Sequence, residues 1–89
     1  MRTLSVNRKI MEIKELAESL EVAKASLADQ QRNLKQVQNL VDDLGKEDQT
    51  FEIKLEISDL NKDVANQTTL IEERQKEIAE LEVSISLLK

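Results

Sequence analysis

Histidine, cysteine, proline, tryptophan and tyrosine are all missing from this chain, and glycine and phenylalanine occur once each. The lack of histidine removes the commonest general acid or base and the usual partner of a nucleophilic serine. The lack of cysteine removes disulfides, thiol chemistry and thiolate metal sites, and leaves the redox compartment undetermined. One aromatic residue, Phe51, is too little to wall a deep ligand cavity, and one glycine, Gly45, is too little for a loop that cradles phosphate. No apolar run exceeds three residues, far short of the roughly 20 needed to cross a bilayer. The opening Met1-Arg2-Thr3-Leu4-Ser5 does not lead into the apolar block of a signal peptide, so the reading predicts a soluble, cytoplasmic protein.

Charge and aliphatic residues fill the space left by these absences. Charged residues make up 35% of the 89 positions and apolar ones 39%, the mixture that long solvated helices require. In the first half, core positions run from Ile13 through Leu16, Leu20, Ala23, Leu27, Gln30, Leu34, Val37 and Val41 to Leu44. In the second they run from Ile53 through Ile57, Leu60, Val64, Gln67, Ile71, Arg74, Ile78, Leu81 and Ile85 to Leu88. Steps of three and four alternate within each half, which lays an apolar seam along one side of an α-helix and predicts coiled-coil packing.

The two seams fall out of step by two residues near Gly45, an offset that neither common coiled-coil interruption produces. Gly45 suits a left-handed helix end, and Glu47 and Asp48 suit the first turn of a new helix. The expectation is therefore all-α: one antiparallel helical hairpin over 1–89, with helices at about 4–44 and 49–88 and a turn at about 45–48. Facing residues of such a hairpin share a nearly constant sum of residue numbers. A sum of 94 places the turn at Gly45 and sets Val41 against Ile53, Ala23 against Ile71 and Val6 against Leu88. A sum of 101 also satisfies the packing rule. With the sum of 94, Gln30 and Gln67 fall in adjacent layers, where their amides are expected to meet and fix register at some cost in stability. The stretch from Thr50 to Ile57 alternates apolar and polar residues as a strand would. The seam nevertheless continues through Ile53 and Ile57, and a lone strand would have no partner, so helix is the reading there.

Two helices alone leave such a seam half wet. In the first arm the bordering positions Ala17, Ser19, Lys24, Ser26, Gln31, Asn33, Gln38 and Leu40 hold one charge among eight, where two-stranded coiled coils usually place charged pairs. Small neutral borders admit a second layer, so the expected assembly is a homo-oligomer, a dimer of hairpins forming a four-helix bundle. The self-association seam is then Ile13, Leu16, Leu20, Leu27, Leu34, Val37, Val41, Ile53, Ile57, Leu60, Val64, Ile71, Ile78, Leu81 and Ile85. Arg74 on the seam is read as packing by its aliphatic stem with its charge reaching Glu77, the sharper alternative being a specificity device alongside Gln30 and Gln67. Off the seam, Leu4, Met11, Val83 and Leu87 at the open end form a possible partner patch, and Leu40, Phe51 and Leu55 lie toward the turn.

No catalytic site emerges from this pattern. Glu72, Glu73, Glu77, Glu80 and Glu82 read as a solvated face, since a thin bundle offers no cleft to desolvate one acid of a pair. Asp42 to Asp48 lacks the ligand spacing of a calcium loop, and no inward Glu-x-x-His pair offers a di-iron site. No metal and no cofactor is expected. Residues 1–44 hold seven basic and seven acidic side chains and residues 45–89 six and eleven, so the net charge of -5 comes from the second half. Arg2, Arg8 and Lys9 make a poor basic face, which argues against nucleic acid, and neither arm has the basic polar face of a membrane-surface helix. The expected role is non-enzymatic: a coiled-coil scaffold or assembly factor that self-associates. The alternative is an adaptor or inhibitor that binds another protein through an exposed helix face, its acidic second arm meeting a basic site.

Overall fold

With no proline to interrupt them and an apolar residue recurring at each turn, both halves of the chain form long helices. In the computed structural model α1 spans Arg2–Gly45 and α2 spans Phe51–Leu88. The structure describes the backbone from Arg2 to Lys89 and side chains from Arg8 onward; Leu4 and Val6, assigned above to the partner patch and to a layer with Leu88, lie outside the described side chains. A continuous helix of this length would extend about 130 Å at 1.5 Å per residue. The molecule is instead 72 Å long and 14 Å across in both other directions, because α2 folds back along α1 as an antiparallel hairpin. The alternating segment beyond Thr50 is helical from Phe51 onward, and no strand occurs among the described residues.

The turn is built differently from the expectation. Gly45 is the last residue of α1 and does not have a positive φ, so the helix ends without a left-handed residue. Two tighter bonds close it instead, Lys46 N donating to the Asp43 carbonyl and Glu47 N to the Leu44 carbonyl, each at 3.2 Å. The Gln49 amide adds bonds to the carbonyls of Leu44 at 3.2 Å and Glu47 at 3.0 Å. Glu47 and Asp48 lie in the loop rather than in the first turn of α2, where Glu52 is the acid that faces the helix dipole. Thr50 caps α2: its extended backbone turns the chain, and its hydroxyl accepts from Ile53 N at 3.3 Å.

The stagger of the arms also differs from the expected 94. Leu88 lines a cleft with Glu12, Glu15, Leu16 and Ser19, and Gln67 and Leu70 line another with Gln30 and Asn33. Under a sum of 94, Leu88 would sit about 15 Å from the level of Leu16 and Leu70 about 13 Å from that of Asn33. A sum of 101 sets Leu88 against Ile13 and Gln67 against Leu34 and accounts for both clefts. The cleft at Arg74 and Glu77 is longer, running from Glu15 to Ala23, and is compatible with either. In this register α1 continues past the end of α2, and Arg8, Lys9, Ile10, Met11 and Glu12 are all exposed.

Candidate interaction surface

Every seam position from Ile13 to Leu88 is buried or partly buried, and among the other described residues only Ser26 and Asp63 are comparably covered. Coverage is incomplete. Among the described residues only Ala23, Leu44 and Ile71 are buried, and no large side chain is fully enclosed. The seam therefore holds the hairpin together while leaving much of its apolar surface in contact with water.

The polar members of the seam behave locally. Gln30 and Gln67 share a cleft of about 220 Å³, but no hydrogen bond joins them. Gln67 Nε2 donates to Asp63 Oδ2 at 3.1 Å on its own helix. The Oε1 atoms of both glutamines are buried with no hydrogen-bond partner, so this layer carries a polar cost that mutual pairing does not offset. Arg74 shares a cleft with Ala23 of α1, and its guanidinium bonds Glu77 at 2.7 Å, one turn away on the same helix. Its side chain is 30% exposed, which matches a packed stem with a solvated charge rather than a cross-helix pair.

Of the off-seam apolar residues, Met11, Val83 and Leu87 at the open end and Leu40, Phe51 and Leu55 toward the turn are all exposed. They do not form one patch. With Ile13 and Ile57 as position a of the heptad, Met11, Leu55 and Val83 point outward at f, whereas Leu40 and Leu87 sit at g and c beside the seam.

Heptad position divides the surface into two broad faces, a division missed when charge is counted along the chain. The clefts bring Ser19 near Glu77 and Asn33 near Leu70, all four at g, so the c and g positions of both arms share one face. From α1 this face receives Glu12, Glu15, Asp29 and Asp43, with Val22 and Leu40. From α2 it receives Glu52, Glu56, Asp59, Asp63, Glu73, Glu77 and Glu80, with Leu70 and Leu87. No lysine or arginine stands at c or g between Glu12 and Leu87. The opposite face, of b and e positions, balances Lys14, Lys24, Lys35 and Lys54 against Glu21, Asp42, Glu72 and Glu82, with Ala17, Ala28, Ala65 and Ala79 between them. Only two ion pairs occur among the described residues, Asp29 with Arg32 at 3.2 Å and Arg74 with Glu77, so most acids of the first face have no basic neighbour.

Among the described residues no group of acids is placed to hold a metal ion, and no helix is long and apolar enough to cross a membrane. Compared with protein-family models, curated proteins and solved structures, the chain matches none.

Proposed function

We propose that this hairpin is a non-enzymatic protein-interaction module whose working unit is a self-associated pair, acting as a coiled-coil scaffold or assembly factor. The observation that supports it is the incomplete core, in which only Ala23, Leu44 and Ile71 among the described residues are buried within one chain. The b and e face suits a second copy, because its alanines permit close approach of another helix pair and its charges nearly cancel, Lys89 being the one base in excess. Covering the seam from that side removes apolar surface from water at roughly 25 cal/mol per Å².

Light scattering on the purified chain tests this reading. The expected mass is twice 10.2 kDa. Ala28→Glu with Ala65→Glu, which places acids on the small-residue face, should return the mass toward that of one chain and lower the thermal midpoint. A fully helical monomer at all concentrations would remove the proposal.

A further inference from the structure

We infer that the acidic c and g face is a docking groove for a basic, amphipathic α-helix of another protein. Two features coincide there. The first is a strong excess of one charge: eleven carboxylates, four from α1 and seven from α2, with no lysine or arginine at the same positions and two bases beside them, Arg32 paired with Asp29 and Arg74 paired with Glu77. The second is exposed apolar surface between those acids, with Val22 67%, Leu40 45%, Leu70 50% and Leu87 82% exposed.

In the register with the sum of 101, these four stand at successive levels along the rod, in the order Leu87, Val22, Leu70 and Leu40. Their spacing is about 12 to 14 Å and the whole run about 40 Å, the length of a helix of some 26 residues. The clefts between the arms open along the same line, about 370 Å³ beside Leu88, 470 Å³ beside Arg74 and 220 Å³ beside Gln67. A third helix lying over this groove covers the apolar stations with its own apolar stripe, while lysines and arginines on its borders meet the carboxylates on either side.

Charge decides between occupants. A second copy would set eleven acids against eleven, and nucleic acid would set phosphate against carboxylate. A purely polar polycation would satisfy the charge but leave Val22, Leu70 and Leu87 wet. The acid excess that counting along the chain assigns to the second arm is, in the folded molecule, a property of one face drawn from both arms.

The test uses the full chain and a fluorescein-labelled 26-residue peptide carrying leucines at helical a and d spacing with lysine and arginine borders. Fluorescence anisotropy should show saturable binding that weakens as salt rises. Glu15→Lys with Glu73→Lys should weaken it at least tenfold, and Glu21→Lys with Glu72→Lys, an equal charge change on the other face, less than threefold. Val22→Ser with Leu70→Ser, at exposed positions that leave the seam intact, should weaken it at least fivefold. A peptide with serine for every leucine should bind at least tenfold more weakly. Equal losses from the two charge swaps, undiminished binding of the serine peptide, or no saturable binding would each overturn the inference. Light scattering separates it from the self-association reading: peptide should add to whatever assembly the free chain forms, and a peptide that displaces a second copy would belong to the other face and overturn this assignment.

Discussion

The closed end of the hairpin is held by hydrogen bonds and a buried leucine, whereas the open end is held by side-chain packing alone. At the turn Leu44 is 8% exposed, Gln49 bonds two carbonyls and Thr50 caps α2. At the other end Val83 and Leu87 are 59% and 82% exposed, and the one terminal bond is Lys89 N to the Ile85 carbonyl at 3.2 Å. The contrast shows where contact between arms is cheapest to form. Residues flanking a five-residue loop are already close in the unfolded chain, while Ile13 and Leu88 meet only after a long loop closes. Local bonds thus accumulate where closure costs least, and the far end relies on cooperation along the seam.

Substitutions at the two ends test this contrast. Leu44→Ala removes a buried side chain and should lower the unfolding free energy by about 2 to 4 kcal/mol, whereas Leu88→Ala, at a half-covered position, should cost less than about 1 kcal/mol in urea titrations followed by circular dichroism. Equal losses would break the contrast. Thr50→Ala deletes the cap on Ile53 N and should cost about 1 kcal/mol in the same assay. The smallest effect has the opposite sign. Gly45 is exposed and helical with nothing within 4 Å of where a Cβ would stand, so Gly45→Ala should raise stability by about 0.5 kcal/mol. A loss there would restore the left-handed helix end that the sequence suggested.

What could be read from the sequence and what could not separate along physical lines. The seam was legible because helical periodicity leaves a repeating trace, and each of its members from Ile13 to Leu88 is buried or partly buried. The position of the turn was legible from the break in phase, but its chemistry was not. Glycine at a helix end suggests left-handed geometry, yet the tightened last turn and the Gln49 amide meet the same need for carbonyl partners. Stagger was hidden by the heptad itself, since sums of 94 and 101 differ by one repeat and present equivalent layers. Gln30 and Gln67 were read as a pair, but Asp63, one turn before Gln67, is always within reach and captures its amide. The acidic face could have been found by sorting charges according to heptad position rather than by half of the chain.

A stiff strut 72 Å long and 14 Å thick also works as a ruler. The start of α1 and the end of α2 emerge toward the same pole, α1 reaching about 16 Å further, so any modules joined there would leave in the same direction at staggered heights. A molecule gripping the Lys46–Thr50 loop would be held some seven nanometres from the start of α1 and, across the 38 residues of α2, about 57 Å from its end. Lengthening or shortening both arms together by whole heptads would change that gap by about 10 Å per repeat without altering the surfaces at either pole.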